Sequence, residues 1–522
     1  MNDTTLLLDG RIHTPADEDA TAMAVRGDTV LWVGRDDQAA DRYRTAEVVR
    51  LDGAFVTPAF VDAHVHATSA GLLLTGLDLT GCDSLDECLS AVRRFAATSD
   101  APVLWGHGWD ETRWPQRRPP TRTELDEAAG GRPLYLSRID VHSALVSSPL
   151  AEHAAGATGY SADGPLSRDA HHVVRRAAQD GVPSPQRQAA QRAFLAFAAS
   201  RGVGCVHECA GPDISGVGDL RDLLALPDGP DVVGYWGELV TSAEQAREVL
   251  ARTGAHGLAG DLFADGAVGS RTAALHTPYL DAAGSCGAAY LSASDVADHV
   301  TACTEAGVQA GFHVIGEAAV ATVVAGFELA AGRVGADALA ARGHRLEHVE
   351  MVSEQQAAAL AGYGVLASVQ PQFDAAWGGT DGMYAQRLGV ERALPMNPFA
   401  MLAAAGVTLA FGSDTPVTPL DPWATVRAAV HHRTPGSGIT AQAALTAHTA
   451  GGHRAAGPRT TADTRAFGET GDAGTLVPGA PATYAVWDTD GLDSAIAGER
   501  PLCLRTVVRG NVIFDSEGAL RS

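Results

Sequence analysis

Two histidines lie two residues apart in the stretch "FVTPAFVDAHVHATSAG", residues 55–71. Apolar residues alternate there with Asp62, His64 and His66, so the three polar side chains share one face if the stretch is a β-strand. Two imidazoles that point the same way from a strand end can form half of a metal site. A single histidine in a strand is more often a hydrogen-bonded core residue, so the pair needs partners elsewhere in the chain.

Three further polar residues each follow a β-prone run and precede a helix-prone one. His313 ends "GVQAGFHVIG", His348 lies in "GHRLEHVEM", and Asp414 ends "GVTLAFGSD". If these runs are parallel strands of a barrel, the side chains meet His64 and His66 at one edge. Such a ligand set favours a site for a divalent metal, Zn²⁺ by default and Fe, Mn or Co as alternatives. Asp414 could instead only cap a helix, but the shared position of all five residues favours the metal site.

The elements that must position these residues repeat along the middle of the chain. Helix-prone, alanine-rich stretches end at glycine, and each is followed by a β-prone run that opens with valine. The glycines, each placed as a helix C-terminal cap, are Gly202, Gly307, Gly364 and Gly406. Ser353 and Gln356 have the spacing of a capping box at a helix start. About eight such units predict an α/β fold, a TIM-like (β/α)₈ barrel with a parallel sheet.

Both ends of the chain differ from this middle. Short β-prone runs separated by turns fill the first fifty residues and the last forty, so we expect the termini to meet in one small β domain. We predict a composite β-sandwich from residues 1–57 and 460–522 around a barrel at 58–459. Residues 72–200 fit the repeat poorly and predict a substrate-shaping elaboration over the barrel mouth. The stretch "GPRTTADTRAFGETGDAG" resembles a linker or surface loop.

Composition limits the partners. The chain has 522 residues, 46% of them hydrophobic, and a formal charge of −24, which disfavours nucleic acid and anionic membranes. No apolar run approaches the length of a membrane span, so we expect a cytoplasmic protein. Seven scattered cysteines are not a disulfide framework. The sequence contains no lysine, which a GC-rich genome explains, and no residue can therefore supply a modified lysine.

The sequence resembles the amidohydrolase superfamily of metal-dependent hydrolases, and in particular the amidohydrolase-3 branch, which includes YtcJ-like and N-substituted formamide deformylase-like proteins. Its motifs occur in the order of that family over nearly the whole chain: "TPAFVDAHVH", "GHGWDETRW", "LFADGAVGSRTAAL", "GFHVIGEAAV", "HRLEHVEMV", "FGSDTPV" and "DAGTLVPGAPATYAVWD". The resemblance implies His64, His66, His313 and Asp414 as metal-site residues and His348 as a further ligand or substrate contact. It also implies that Asp414 is the proton shuttle.

One position departs from the family pattern. The family has a lysine before "LFADG" that bridges two metals when carboxylated, and here that position is Asp261. We expect the short aspartate side chain to stay near its own backbone and not to reach a bridging point, which predicts a mononuclear site. In "GVGCVHECAG", Glu208 could replace the bridge if it faces inward; otherwise His207 lines the pocket. A buried structural role is the simpler interpretation of Cys205 and Cys209.

The ligand set predicts hydrolysis by metal-activated water, with Asp414 moving the proton and His348 orienting the water or polarising the carbonyl. A small amide, formamide, carbamate or cyclic amide fits this chemistry, so the bond cleaved is a carbon–nitrogen bond other than a peptide bond. The candidate substrate-binding residues, each of which could equally be packing or solvent-facing, are Trp109, His142, Arg271, Gln370 and Trp377.

Other classes fit less well. We find no G-x-S-x-G elbow of a serine hydrolase and no phosphate-binding glycine loop. Two alternatives stay open: a deaminase or lyase/isomerase on the same barrel, and a catalytically degenerate member that only binds a ligand. The substrate is not identified by the sequence, and we expect a homodimer.

Overall fold

The computed structural model describes residues 4–111, 114–138, 143–212, 214–457, 472–516 and 520. The chain divides into two compact units. The first unit comprises Met1–His66 and Leu195–Ser522, and the second unit is Ala67–Phe194. Most of the predicted linker, including the predicted domain boundary at 459/460, lies outside the described residues.

The strands of the described residues are numbered here in chain order. They are β1 (Thr4–Leu8), β2 (Arg11–Ile12), β3 (Ala22–Arg26), β4 (Thr29–Gly34), β5 (Glu47–Arg50), β6 (Phe55–Pro58), β7 (Phe60–Val65), β8 (Leu77–Asp78), β9 (Leu104–Trp109), β10 (Leu134–Arg138), β11 (Ser143–Val146), β12 (Leu166–Ser167), β13 (Val203–Ala210), β14 (Asp231–Trp236), β15 (Gly311–Val314), β16 (Arg345–His348), β17 (Leu366–Val369), β18 (Thr408–Phe411), β19 (Tyr484–Trp487), β20 (Cys503–Val508) and β21 (Asn511–Asp515).

The α-helices follow the same numbering. They are α1 (Asp36–Arg42), α2 (Ala67–Thr75), α3 (Leu85–Thr98), α4 (Arg122–Ala129), α5 (Ser148–Ala151), α6 (Arg168–Asp180), α7 (Ser184–Ser200), α8 (Val217–Leu224), α9 (Ala243–Thr253), α10 (Ala293–Ala306), α11 (Glu317–Val334), α12 (Ala336–Arg342), α13 (Glu354–Gly362), α14 (Pro371–Trp377), α15 (Met383–Leu388), α16 (Val390–Ala393), α17 (Phe399–Ala404), α18 (Pro422–Val430), α19 (Ala441–Thr446), α20 (Gly452–Ala455) and α21 (Leu492–Ala497). A π-helical turn, Ala447–Gly451, precedes α20.

Parallel strands form the centre of the first unit. One sheet has the order β14-β13-β7 and another the order β15-β16-β17-β18, and every pairing within them is parallel. All residues of β7, β13, β15, β16 and β17 are buried, as expected of strands covered on both faces. Helices alternate with these strands along the chain. The predicted α/β fold, in which helices connect the strands of a parallel sheet, is therefore confirmed.

Isolated parallel bridges continue the pairing beyond these two sheets. Val65 at the end of β7 pairs with Thr415 just after β18. On the other side, Gly257 pairs with Tyr235 of β14, and the next residue, Leu258, pairs with Ala310 just before β15. The segment from 257 to 263 therefore lies along β14 and β15, although it forms only isolated bridges.

Glycine ends the helices where the sequence predicted it. Gly202, Gly307, Gly364 and Gly406 all have positive φ, between +66° and +88°, a conformation that favours glycine. Ser353 and Gln356 form the predicted capping box at the start of α13. These local signals fix where each helix stops and the next strand begins, and so bring the strand ends to one edge.

Strands from the two ends of the chain pair with one another in the first unit. The order β2-β6-β19-β20-β21 joins N-terminal and C-terminal strands in one sheet, and β4-β3-β1-β5 forms another. Side chains of both sheets share one buried cluster, which includes Met23, Val25, Val56, Tyr484 and Val507. The packing of these apolar faces explains why the short strands of both termini are ordered.

The second unit contains a five-stranded sheet of its own, with the order β12-β11-β10-β9-β8. The pairs β8/β9 and β9/β10 are parallel and the other two are antiparallel. Helices α3 and α4 pack on a buried cluster that includes Leu89, Leu104, Trp109 and Leu136. This mixed sheet lies in the stretch that departs from the regular repeat of the sequence.

No single helix among the described residues is long and apolar enough to cross a membrane. Helices α11 and α12 meet that test only when taken together, and they are bent by 112° where they join.

Candidate metal centre

Strand β7 presents its polar residues as the alternation predicts. The His64 side chain is fully buried and His66 is nearly so. Asp62 lies one step further back, where its Oδ1 accepts hydrogen bonds from the backbone N–H of Ser413 at 2.8 Å and of His64 at 3.4 Å. Burial raises the pKa of Asp62 to about 6. Asp62 thus ties β7 to the chain after β18, while the two imidazoles extend beyond it.

Two carboxylates face the Nε2 atoms of both histidines. Asp414 Oδ1 lies 3.5 Å from His64 Nε2 and 3.1 Å from His66 Nε2. Asp261 lies on the same atoms, with Oδ1 3.5 Å from His64 Nε2 and Oδ2 3.3 Å from His66 Nε2. A ring nitrogen of His348 lies within 4.8 Å of the ligand atoms of His64 and Asp261. Five residues from four separate parts of the sequence therefore lie around one point.

The atoms that converge are ones that a cation would satisfy. Within the described residues His64 Nε2, Asp261 Oδ1 and Asp414 Oδ1 are buried and have no hydrogen-bond partner. Buried polar atoms are usually paired, because an unpaired one costs about 1–3 kcal/mol. Two imidazole nitrogens and two carboxylate oxygens are typical ligands of a divalent metal. The residues present therefore fit the metal that the sequence predicts.

The position of Asp261 differs from the prediction that its side chain could not reach the centre. The segment is not a regular strand: Leu258 pairs with Ala310 but Phe263 pairs with His313, so it carries two residues more than the facing stretch. The backbone N–H of Leu262 donates to the Gly260 carbonyl at 2.8 Å, which places Asp261 in the middle of a tight turn. Gly260 has a φ of +78°. This bulge, rather than a longer side chain, brings the carboxylate to the histidines.

Asp414 and His348 both occupy strained backbone positions. Their φ angles are +54° and +70°, and Val349 next to His348 has +49°. A left-handed conformation is unfavourable for such residues and is often found where function fixes the geometry. Two backbone hydrogen bonds hold Asp414 in this conformation. Its N–H donates to the His64 carbonyl at 2.8 Å, and its carbonyl accepts from the N–H of Val417 at 2.7 Å.

Electrostatics separates the two carboxylates. Burial alone would raise the pKa of Asp414, but the His64 and His66 imidazoles lower it to about 2. Burial raises the pKa of Asp261, and the negative charge of Asp414 adds to that rise. Asp414 is thus the more acidic of the two carboxylates, and its ionised form is the state needed to accept a proton.

Two buried partners hold His64 and His348 from behind. His64 Nδ1 lies 2.9 Å from Glu347 Oε2, and His348 Nδ1 lies 2.7 Å from Gln370 Oε1. Each Nδ1 therefore donates, which leaves each Nε2 free to act as a ligand. Glu347 in turn accepts from Arg345, at 2.6 Å from Nε and 3.0 Å from Nη2. Burial opposes ionisation of Glu347, but the Arg345 guanidinium holds its pKa well below the ordinary value.

Sequence reasoning missed Arg345 and Glu347. They alternate in "HRLEH" just before His348, and both side chains are fully buried. The available signal was a charge pair of opposite sign, two residues apart, inside a short β-prone run. Read alone, such a pair is equally typical of a solvated strand face.

His313 is adjacent to the cluster but lies outside the groups defined by short ligand distances. Its ring centroid is 4.5 Å from that of His348 and 4.7 Å from that of Phe263. Its Nδ1 is buried without a hydrogen-bond partner in the described chain. His313 as a metal ligand stays a prediction.

The residues of β13 divide between its two faces. Cys209 lies within 4.8 Å of ligand atoms of His64 and Glu347, and His207 Nδ1 accepts from Arg345 at 3.0 Å. Alternation along the strand then puts Glu208 on the opposite face. Cys205 packs in a buried apolar cluster with Val61 and Tyr235. His207 and Cys209 thus lie towards Arg345 and His64, and a role of His207 or Glu208 at the centre stays a prediction.

The predicted substrate contacts lie in different surroundings. Gln370 is buried against His348, and Trp377 packs on Phe373, whose ring stacks on that of His348 at 5.9 Å. The Arg271 side chain pairs with Asp281, at 3.0 and 2.7 Å.

Trp109 is fully buried in the core of the second unit, where its Nε1 donates to the Leu136 carbonyl at 2.9 Å. His142 lies outside the described residues. Substrate binding by these five residues stays a prediction.

Known proteins resemble this chain over most of its length. The profile of the amidohydrolase family matches residues 47–514. The putative amidohydrolase YtcJ of Bacillus subtilis is 27% identical over 81% of this chain and 82% of its own. The N-substituted formamide deformylase of Arthrobacter pascens is 23% identical over 96% of both chains.

A solved structure has the same fold. The crystal structure of an uncharacterized metal-dependent hydrolase from Pyrococcus furiosus superposes with a TM-score of 0.76, at 24% sequence identity, covering 94% of this chain and 100% of its own. This likeness indicates a TIM-barrel-like α/β fold.

Proposed function

Since this chain belongs to the amidohydrolase family, we propose that it is a metal-dependent hydrolase that cleaves a carbon–nitrogen bond of a small amide, formamide, carbamate or cyclic amide. The bond is not a peptide bond. The observation that carries this proposal is the convergence of His64 and His66 on the carboxylates of Asp261 and Asp414, at 3.1–3.5 Å. The deformylase relative is named for chemistry of this kind.

We propose one divalent cation, Zn²⁺ first, held by His64, His66 and Asp414 with Asp261 beside it. Every ligand group found among the described residues contains His64. Because its Nδ1 is bonded to Glu347, His64 has a single nitrogen to offer to a cation at this centre. A bound cation would supply activation of water and polarisation of a carbonyl.

A second group by distance, His64 with Cys209 and Glu347, is a poor cation site. The Glu347 carboxylate already accepts two hydrogen bonds from the Arg345 guanidinium. An arginine that close repels a metal ion. This group therefore supports His64 and is not a second metal site.

The residues of the chain divide the remaining work. Asp414, ionised and fixed by its backbone bonds, accepts the proton of the attacking water and returns it to the leaving nitrogen. His348, whose Nδ1 donates to Gln370, lies beside the cluster, where its free Nε2 can accept a hydrogen bond from the attacking water and orient it. The rings of Phe373 and Trp377 extend from His348 and support an apolar wall for the substrate.

For the architecture we propose a closed (β/α)₈ barrel with a β-sandwich from both termini. The bridges Val65 to Thr415, Tyr235 to Gly257 and Leu258 to Ala310 support closure. The sheet shared by β2, β6, β19, β20 and β21 supports the sandwich. We also propose a cytoplasmic homodimer whose partner is a small-molecule substrate, with no role for nucleic acid or membrane, on the grounds of charge and family.

Metal analysis of the purified protein, followed by a screen of N-formyl, N-acyl and cyclic amides, tests the function. We expect about one equivalent of divalent metal per chain, loss of turnover on chelation and recovery with Zn²⁺. Two tightly bound equivalents, both needed for turnover, would contradict the mononuclear site. Ammonia release from an aminated heterocycle without amide cleavage would identify a deaminase instead.

A further inference from the structure

Glu347 lies between a buried arginine and the rear nitrogen of His64. Its side chain is fully buried, with Oε2 2.9 Å from His64 Nδ1 and both oxygens bonded to Arg345. An ionised carboxylate only accepts hydrogen bonds. His64 Nδ1 must therefore donate, and the ring nitrogen on the other side, Nε2, is the one that faces Asp261 and Asp414.

Arg345 is fixed by more than this ion pair. Its Nη2 donates to the Ala63 carbonyl at 2.7 Å, its Nη1 donates to His207 Nδ1 at 3.0 Å, and its guanidinium lies 4.3 Å from the ring centre of Tyr235. The contact with Ala63 holds the residue just before His64 in β7. The guanidinium thus fixes both the carboxylate behind the His64 ring and the backbone from which that ring extends.

The two histidines of the pair differ in this respect. His66 Nδ1 is buried and has no hydrogen-bond partner within the described residues. His64 alone has its orientation set from behind by a carboxylate. An imidazole held in one tautomer and one orientation loses less conformational entropy when it binds a cation than a freely rotating one.

We propose that Glu347, fixed by Arg345, is a positioning residue that sets the tautomer and orientation of His64 for metal binding. This inference rests on the proposed metal-dependent function. The competing interpretation is a purely structural ion pair that contributes to folding and not to the metal centre. The two interpretations predict different metal affinities for variants that lack both charges. A positioning role requires that a hydrogen-bond acceptor for His64 Nδ1 at position 347 maintains metal affinity, whereas a purely structural ion pair does not.

Two double variants make that comparison. R345M/E347Q removes the ion pair but keeps a carbonyl oxygen that can accept from His64 Nδ1, whereas R345M/E347M removes the pair and the acceptor. Removing both charges together avoids leaving one of them buried and unpaired. The measurements are the Zn²⁺ dissociation constant, by chelator competition, and the thermal midpoint of each metal-free protein.

We expect R345M/E347M to bind Zn²⁺ about 10–100-fold more weakly than R345M/E347Q, the range typical of lost support behind a metal ligand. Equal dissociation constants in two folded variants would overturn the positioning role, while wild-type binding would leave the proposed function intact. Absence of Zn²⁺ binding by the wild type would overturn the proposed function and this inference with it.

A third variant covers loss of folding in the double variants. E347D keeps the charge and the arginine partner but withdraws the carboxylate from His64 by one methylene. We expect about tenfold weaker Zn²⁺ binding with the thermal midpoint nearly kept, and unchanged affinity in E347D would contradict the proposal.

Discussion

The carboxylate of Asp414 combines a strained backbone, a low pKa and a place between two imidazoles. Each of these properties serves a group that must be ionised and held still. Strain of this kind costs about 1–3 kcal/mol and persists only where the surroundings fix it. At the scale of single residues, Asp414 is thus the strongest candidate for the proton-transfer group.

Replacing Asp414 by Asn tests this role. We expect Asp414→Asn to lower kcat by about 10²–10⁴, because an amide cannot take a proton from water. The measurement is kcat per bound metal, so that loss of metal and loss of chemistry are separated. Asp421→Asn is the matched control, since Asp421 caps α18 and accepts from Ala424 N–H at 3.0 Å. A metal-loaded Asp414→Asn protein with unchanged kcat would rule out the role.

Asp261 shows why a side chain's reach cannot be judged from its length alone. The residue type predicted a carboxylate too short to reach the centre, but the backbone bulge moves the whole residue. We expect Asp261→Asn to weaken Zn²⁺ binding at least about tenfold, or ~1.4 kcal/mol, because one negative charge leaves the centre. Chelator competition measures the change. Asp298→Asn, on the exposed face of α10, should leave the affinity unchanged.

Helix ends and strand alternation are the elements that the sequence predicted best. The caps at Gly202, Gly307 and Gly364, and the shared face of His64 and His66, depend on neighbouring residues only, so short patterns contain them. The bulge around Asp261 depends on pairing with β14 and β15, which lie far away in the sequence. No local pattern distinguishes it from a regular strand.

Buried charge escaped prediction for a related reason. Arg345 and Glu347 are polar residues in a β-prone run, and such residues usually face solvent. Their burial follows from the parallel pairing of β16 with β15 on one side and β17 on the other, which the sequence shows only as a repeat. The convergence of His64, His66 and Asp414 was predictable, because histidine and aspartate at successive strand ends carry a chemical meaning that the ion pair lacks.

Two helix-capping glycines allow the cost of backbone strain in an alanine variant to be measured apart from the cost of a steric clash. Gly202 and Gly307 have nearly equal φ, +75° and +76°. A Cβ at Gly307 meets nothing closer than Arg342 Nη1 at 3.9 Å, whereas a Cβ at Gly202 would lie 2.2 Å from the Trp487 ring. We expect Gly307→Ala to cost about 1–2 kcal/mol and Gly202→Ala about 1–3 kcal/mol more. Urea unfolding of the two variants measures the difference, and equal losses would show that the ring can move aside.

Over the whole molecule, several histidines are buried in the neutral form. Burial lowers the pKa of His299 to about 4, of His344 to about 3 and of His448 to about 4. Because these values lie below the ordinary 6.5, the unfolded chain takes up protons first as the pH falls. Their contribution to stability is complete above pH 6.5 and is lost as the pH falls towards 4.

One of these histidines can be removed to check the sign. His448 Nδ1 donates to the Val61 carbonyl at 2.8 Å, a bond that an asparagine amide can imitate. We expect His448→Asn to reduce the loss of unfolding free energy between pH 6.5 and 5.5 by about 1 kcal/mol. Urea unfolding at several pH values measures it. His276→Asn, at an exposed position, is the control variant. If the free energy of unfolding of His448→Asn had the same pH dependence as that of His276→Asn, the assignment would be contradicted.

The sheet that joins N-terminal and C-terminal strands cannot be completed until its C-terminal strands have been synthesised. Strand β6 leaves the ribosome well before its neighbour β19, which follows roughly 400 residues later, on the order of a minute at typical elongation rates. During that interval β19 has not yet been synthesised, so the edge of β6 that pairs with β19 has no partner strand from its own chain. Strand β7, which begins two residues after β6 ends, has already been synthesised. The nascent protein must therefore keep this edge of β6 unpaired while the residues between β6 and β19 are synthesised, an interval in which an exposed strand edge is open to pairing with other chains.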